Sequence, residues 1–203
     1  MSLARGTFVS VAMLVAAALA CSEAAEPAAL QEHDHGDMAG APSFAGAQVT
    51  PPGVTRFEAR LAEINGSSAH GWARVEIVGG NLVVSTHGSG MARDSVTPQH
   101  IHSNPTCAVP GGPLINLDRG LTVTGESPSN GPTFPSTNAG GVLNYQVSRS
   151  LADLRTAVNT FFGQALTSDA ELIAWLDLGN RNIHMHQPLA PFTPVDCGAV
   201  DPQ

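Results

Sequence analysis

Short runs of alternating apolar and polar residues, separated by turn residues, constrain the fold of this chain most strongly. In residues 57–61, Phe, Ala and Leu alternate with Glu and Arg, and residues 73–77 repeat the pattern with Ala, Val and Ile. Such alternation is typical of strands with one buried face. Gly79-Gly80-Asn81 separates the second run from the apolar residues 82–84, which predicts a hairpin. A further short strand is predicted at 121–124, and the spacing favours an antiparallel β-sandwich.

One region has helical periodicity instead. Its apolar residues recur every three or four positions, at Leu151, Leu154, Val158, Phe161 and Ala165. This stripe predicts a helix that packs on the core.

A second short helix is predicted to follow. Ser168 and Glu171 have the spacing of a capping box, and Gly179 is the predicted stop. We interpret residues 126–142, which lack periodicity, as a long surface loop. The predicted fold is therefore mainly β, an antiparallel sandwich with one or two short helices before the last strands.

Composition agrees with a turn-rich globular domain and excludes one class of partner. The 203 residues include 42% hydrophobic and 13% charged residues, with 21 Gly and 15 Pro. The formal net charge is −8, and all nine basic residues are scattered arginines. Without a basic patch the chain lacks the electrostatic footprint of a nucleic-acid-binding protein.

The N-terminus has the pattern of an export signal. Arg5 precedes a short apolar run that ends in Ala18-Leu19-Ala20-Cys21, and this arrangement predicts a signal peptide over residues 1–20. The last four residues also resemble a bacterial lipobox, although the preferred Leu is replaced by Ala18. We therefore expect a lipid on Cys21 and a membrane anchor in the bacterial cell envelope, either periplasmic or on the outer membrane. Alternatively, Cys21 is an ordinary residue of the exported chain.

Residues 21–53 are predicted to form a flexible tether. They are rich in Ala, Glu, Pro and Gly, a composition typical of linkers. The tether contains Glu32-His33-Asp34-His35-Gly36-Asp37-Met38, which is either a weak metal-binding tract or a solvated polar segment. Residues 54–203 then form the β-sandwich domain.

Two His-x-His pairs are the candidate functional residues. His100 and His102 form the first pair, and His184 and His186 form the second. In a strand, residues two apart face the same side, so each pair can direct two imidazoles at one ion. Imidazole suits copper and zinc alike. Copper is preferred over zinc because an exported chain meets oxidised copper and Met185 is available to the reduced ion. The alternative is that these are ordinary strand histidines. We expect His70, which lies near a turn, to be solvated. We expect His87 to be an ordinary strand histidine, with a further metal ligand as the less favoured alternative.

Cysteine parity predicts one disulfide. If Cys21 carries lipid, Cys107 and Cys197 remain as a pair, and an exported protein meets an oxidising environment. Closing a loop of this length contributes roughly 4–5 kcal/mol in the chain-entropy model. The less favoured alternative is that a cysteine ligates the metal.

Three segments resemble the CHRD (chordin-type) domain. They are residues 57–107 with Gln99-His100-Ile101-His102, Gly112-Pro113-Leu114-Ile115-Asn116-Leu117, and Leu176-Asp177-Leu178-Gly179-Asn180-Arg181-Asn182-Ile183-His184. The resemblance covers most of residues 55–200 in pieces, and 120–145 are unlike the family.

The same region is similar to Cu/Zn superoxide dismutase. That resemblance implies a Greek-key β-sandwich fold, copper ligands at His100, His102 and His184, and a disulfide between Cys107 and Cys197. The chain departs from the dismutase pattern in two places. It has no histidine between Ser103 and Asn182, where the zinc site and the metal-bridging histidine belong, and Pro194 replaces the substrate-guiding arginine.

Three functions remain open from the sequence. The first is an exported copper-binding protein that handles copper or protects the envelope through His100, His102, His184 and His186. The second is a copper-only superoxide dismutase that uses the same residues. The third is a metal-free interaction or adhesion module.

Overall fold

The computed structural model describes residues 55–108, 111–126, 131–187 and 193–203. Within these ranges the helices are α1 (Leu151–Phe162) and α2 (Asp169–Leu176), and a 3₁₀ turn follows at Leu178–Asn180. The strands are β1 (Thr55–Glu63), β2 (His70–Val78), β3 (Asn81–Ser89), β4 (Gln99–His102), β5 (Pro113–Asn116), β6 (Leu143–Ser150), β7 (Asn182–His186), β8 (Pro194–Ala199) and β9 (Asp201–Pro202).

The strands form one continuous antiparallel sheet that curls around a single core. Their order is β5-β4-β7-β8-β1-β2-β3-β6, with β9 beside β1. Residues 55–61 of β1 pair with β2, whereas Ala62 and Glu63 pair with β8, so β1 belongs to both layers. The neighbours β3 and β6, and β4 and β7, are far apart in sequence, as is typical of a Greek key. The predicted mainly β, Greek-key antiparallel sandwich is confirmed.

Glycines are required at one turn and at one close approach in this sheet. Gly79 and Gly80 form the β2–β3 turn with φ of 57° and 75°, the left-handed conformation that a two-residue hairpin turn requires. Gly198 lies where β8 meets β1. A Cβ atom at Gly198 would lie 2.1 Å from the backbone oxygen of Arg60, so a side chain there would force the two strands apart.

The two predicted helices are present, with shorter bounds. Helix α1 ends at Phe162 because Gly163 adopts φ 64°, so the predicted extension to Ala165 is wrong. Phe161 is 46% exposed and does not join the core. Its neighbour Phe162 packs instead, with its ring 5.2 Å from that of Trp175.

Helix α2 begins as predicted and ends earlier. Ser168 and Glu171 form the complete capping box. The C-cap is Asp177 with φ 45°, rather than Gly179, which lies in the following 3₁₀ turn. An aspartate in the left-handed backbone conformation thus ends the helix, where the sequence pattern predicts a glycine.

The predicted strand at 121–124 is wrong as a regular strand. Leu121 has φ 48°, which is incompatible with extended backbone, and the side chain of Asp118 accepts the N–H of Thr122 at 2.9 Å. Only an isolated bridge between Val123 and Ile115 remains. Of the predicted surface loop 126–142, residues 131–142 contain no named strand or helix, but Thr137 is buried and anchors them.

The predicted signal peptide, the lipidation site Cys21 and the tether with His33 and His35 lie outside the described residues. Neither helix of the described part has the length and apolar run that a membrane crossing requires.

Candidate metal centre

The register between β4 and β7 brings the two histidine pairs together. Strand β4 lies between β5 and β7, and His100 is directly opposite His184. Residues two apart on a strand face the same side, so all four histidines share one face of the sheet. Ile101 and Ile183, which alternate with them, are fully buried in the core on the other face. The sheet therefore presents a histidine cluster, His100, His102, His184 and His186.

Three of these imidazoles are close enough to share one ion. Ring nitrogens of His100, His102 and His186 all lie within 4.8 Å of one another, and we call these residues the three-histidine group. The ring of His186 is centred 5.1 Å from that of His100 and 6.0 Å from that of His102. Nitrogens at this separation can reach a common metal at about 2 Å after small ring rotations.

His184 borders the three-histidine group. Its ring is centred 4.6 Å from that of His102 and 5.9 Å from that of His186. A ring nitrogen of His184 also lies within 4.8 Å of the sulfur atoms of Cys107 and Cys197. His184 therefore stands between the other imidazoles and the two cysteines.

A bulge positions His186. The β7–β8 register shifts between Met185 and His186, where the partner is Pro194, which has no N–H to offer the ladder. The carboxylate of Asp196 instead accepts the N–H of Met185 at 3.1 Å. The N–H of His186 is donated to the carbonyl of Pro98 at 2.8 Å, which ties the end of β7 to the residue before β4.

One hydrogen bond fixes the tautomer of His102. Its Nδ1 lies 3.0 Å from the carbonyl oxygen of Gly111. A carbonyl only accepts, so Nδ1 carries the proton and Nε2 keeps its lone pair. Such a bond to the non-ligating nitrogen is the usual way in which a protein orients a metal-binding histidine.

Several ring nitrogens of the cluster are buried and have no hydrogen-bond partner in the described structure. They are Nδ1 of His100, Nε2 of His102 and both nitrogens of His184. His102 is 6% exposed and His184 is 1% exposed. Buried polar atoms without a partner are uncommon in folded proteins. Several at one place make the histidine cluster a candidate ligand site.

Burial keeps these rings neutral. Desolvation, followed by repulsion from the neighbouring histidines, lowers the pKa of His100 to about 3. The same two causes lower the pKa of His184 to about 3. Desolvation also lowers the pKa of His102, against the opposing effect of its bond to Gly111. A neutral imidazole has the lone pair that a metal requires, so no proton needs to be displaced at neutral pH.

Residues at the start of β7 hold the segment that follows β4. Asn182 donates to the carbonyls of Asn104 and Thr106 at 2.5 and 3.2 Å. Arg181 donates to the carbonyl of Ser103 at 2.7 Å and, from its other nitrogens, to the end of α2. Both residues lie in the segment 176–184 that resembles the CHRD domain. The sequence does not reveal their positioning role, because this role depends on contacts across 70 or more residues.

The predicted disulfide between Cys107 and Cys197 is confirmed. Cys197 pairs with His184 in the β7–β8 ladder. The disulfide therefore lies at the edge of the histidine cluster and fixes the loop after β4 to β8.

The expectation that Met185 serves the reduced metal in this cluster is wrong. Met185 alternates with His184 and His186, so it points to the opposite face and is fully buried in the core. A Cβ atom on Gly88 would lie 3.2 Å from its sulfur and 3.0 Å from that of Met91, which places the two thioethers close together inside the sandwich.

His87 behaves as an ordinary strand histidine of β3, as expected, whereas His70, expected to be solvated near a turn, is the first residue of β2 and is partly buried. His87 Nδ1 lies 2.7 Å from Asn144 Oδ1, and its ring stacks 6.0 Å from that of Trp72. His70 lies within hydrogen-bond distance of Ser68 and Ser89.

No family model matches this chain, and no curated protein matches it. The CHRD resemblance therefore stays a prediction. Among solved structures, the chain is similar to superoxide dismutase 5 of Candida albicans with Cu(II), at 14% identity and a TM-score of 0.45. The likeness covers 73% of this chain and 92% of that chain, and at this level it carries no argument about function.

The lowered pKa values predict that the metal-free protein loses stability in mild acid. The pKa of His100 is about 3 in the folded protein and about 6.5 in the unfolded protein. Between these two pH values, the histidine is protonated mainly in the unfolded state. Unfolding therefore becomes easier as the pH falls through that window. For His100 the effect at pH 5 is about 2 kcal/mol, at 1.36 kcal/mol per pKa unit. Urea unfolding at pH 7 and pH 5 measures it.

The control is His100→Gln, which keeps a polar side chain that cannot titrate. Burial raises the pKa of Asp196 to about 7, so protonation of this carboxyl stabilises the folded protein as the pH falls over the same window. Asp196 is therefore kept in both proteins. The loss of stability from pH 7 to pH 5 should be smaller in His100→Gln than in the wild type. An equal loss would show that His100 is not desolvated in the folded protein.

Proposed function

We propose that this chain is an exported protein that binds copper at the histidine cluster and handles copper in the cell envelope. The observation that carries the proposal is the convergence of ring nitrogens of His100, His102 and His186 within 4.8 Å. His184, packed against His102, is the proposed fourth donor.

The donor set favours copper among divalent metals. The three-histidine group offers imidazole nitrogens and includes no carboxylate, so it is unlike the oxygen-rich sites that Ca²⁺ and Mg²⁺ prefer. Imidazole suits zinc and copper, and Cu²⁺ binds nitrogen ligands most tightly in the first-row series. Zinc is the weaker alternative for the same residues.

Two hydrogen bonds to backbone carbonyls hold the imidazoles in defined positions. Gly111 orients His102, and the hydrogen bond from His186 to Pro98 holds the second pair against the first. Outer contacts of this kind set ring orientation and commonly change metal affinity by about 10- to 100-fold.

Export is supported by the sequence pattern and by the disulfide. A signal-like N-terminus ends at Cys21, and a disulfide joins Cys107 to Cys197. Disulfides persist mainly in oxidising compartments. A lipid on Cys21 would hold the domain at a membrane surface, where the proposed copper handling takes place.

The copper proposal predicts a specific loss of binding. His100→Ala/His186→Ala removes two donors of the three-histidine group and should weaken Cu²⁺ binding by more than about 100-fold, because direct ligands matter at least as much as their outer partners. The measurement is a Cu²⁺ titration of the full-length protein against a competing chelator. The wild type should take up one tight equivalent.

A matched control is His70→Ala/His87→Ala, which removes two histidines of the same domain that lie outside the cluster. This variant should bind copper as the wild type does. Equal copper affinity in all three proteins would assign binding to other residues, such as those of the His33–Met38 tract, and would overturn the proposal.

A dismutase activity is the second candidate. His100 and His186 are only partly buried, so a small anion has access to an ion held there, and redox cycling of copper requires such access. If the chain is a dismutase, its copper-loaded form should remove superoxide faster than the same copper added to His100→Ala/His186→Ala, in a standard superoxide competition assay. Equal rates would exclude the enzyme and leave copper handling.

A further inference from the structure

Cys107, His184 and Cys197 form a second group of ligand atoms beside the three-histidine group. A ring nitrogen of His184 and the two sulfur atoms all lie within 4.8 Å of one another. The sulfurs are joined in a disulfide, and it is the thiolate that serves as a metal ligand. The oxidised protein therefore keeps this group closed to metal ions.

We propose that reduction of the Cys107–Cys197 disulfide opens a Cys₂His site for a thiophilic cation, Zn²⁺ or Cu⁺. An external dithiol protein supplies two electrons and two protons. The S–S bond breaks, two thiols form, and the dithiol closes to its own disulfide. When the cation binds, each thiol releases one proton to solvent, and the two thiolates hold the ion together with His184.

His184 supplies the independent observation that points to a ligand. It is 1% exposed, and neither of its ring nitrogens has a hydrogen-bond partner in the described structure. A buried imidazole in this state lacks the bonds that normally offset its desolvation. A cation between His184 and the two sulfurs would satisfy one of these nitrogens.

The backbone holds Cys197 against His184 without help from the disulfide. The two residues are directly paired in the β7–β8 ladder, and Cys197 is 3% exposed. Breaking the S–S bond leaves this ladder intact, so one thiol stays beside the imidazole.

Cys107 is held by hydrogen bonds that also survive reduction. Asn182 donates to the carbonyls of Asn104 and Thr106, and Arg181 donates to that of Ser103. These bonds fasten the segment before Cys107 to the start of β7. Both sulfurs therefore remain within reach of one ion after the bond between them is lost.

The donor set defines the class of ion. Two thiolates and one imidazole with an open fourth position are a known zinc arrangement, and thiolates also select Cu⁺. The site shares only His184 with the histidine cluster and contains none of the residues His100, His102 and His186. Since His184 borders both groups, reduction would withdraw it from the histidine cluster and link thiol redox state to metal content.

The test titrates the full-length protein with Cd²⁺, a spectroscopic probe for thiolate ligands. The protein is reduced with a phosphine and desalted without oxygen. The reduced wild type should gain one equivalent of Cd²⁺ with thiolate-to-metal charge-transfer absorption, and Zn²⁺ or Cu⁺ should displace it. The oxidised protein should show no such absorption.

Cys107→Ser/Cys197→Ser is the control for other thiols, because it retains Cys21. It should lose the absorption. His184→Gln should weaken Cd²⁺ binding roughly tenfold or more, whereas His100→Ala/His186→Ala should leave it unchanged. In the reduced wild type, Zn²⁺ should also shift the imidazole ¹⁵N resonances of His184 to positions that are not seen when Zn²⁺ is added to the oxidised wild type, a readout that does not depend on any variant folding.

Two results would overturn the inference. The first is equal absorption in the reduced wild type and in Cys107→Ser/Cys197→Ser. The second is unchanged His184 resonances on adding Zn²⁺ to the reduced wild type. The Cu²⁺ titration of the oxidised protein reports on the proposed function separately, so failure of one does not imply failure of the other.

Discussion

The antiparallel pairing of β4 with β7 is the constraint on which the candidate site depends. It places His100 opposite His184 and so brings together two segments that are 84 positions apart in the chain. A slip of one residue would turn Ile101 toward the ligand face and the histidines into the core. The register is fixed by the apolar residues on the opposite face, since Ile101 and Ile183 are fully buried. The packing of the core and the position of the imidazoles are therefore set by the same interaction.

Two further contacts set the positions of His186 and His102 in the candidate site. The bulge at Met185 and His186, where Pro194 cannot donate to the ladder, directs the end of β7 toward Pro98. The carbonyl of Gly111 holds the proton of His102 away from the cluster. Burial keeps the rings of His100 and His184 neutral. These contacts and the neutral rings make the cluster a candidate site for a cation.

The sequence predicts the fold class and the histidine pairs because both depend on a period of two. Alternation along 57–61 and 73–77 is a local property, and so is the shared face of His100 and His102. The ends of helices and strands were less predictable where a non-glycine residue adopts a left-handed backbone conformation. Leu121 and Asp177 have positive φ, and they account for the missing strand at 121–124 and the early end of α2. No composition rule assigns such conformations to these residues.

The remaining features of the site depend on contacts between distant segments. The hydrogen bonds from Arg181 and Asn182 to the loop after β4 span more than 70 residues, and the proximity of His184 to the disulfide follows from the β7–β8 register. The misplaced expectation for Met185 has a local origin instead. Met185 lies between His184 and His186 in β7, so strand alternation alone predicts that its side chain faces the core.

Anomalous diffraction at the copper absorption edge, from crystals of the oxidised full-length protein loaded with one equivalent of Cu²⁺, tests the central claim most directly. The account predicts one strong anomalous peak among the ring nitrogens of His100, His102 and His186, with His184 adjacent. A peak at any other place in the chain, or no ordered peak when copper is bound in solution, would contradict it.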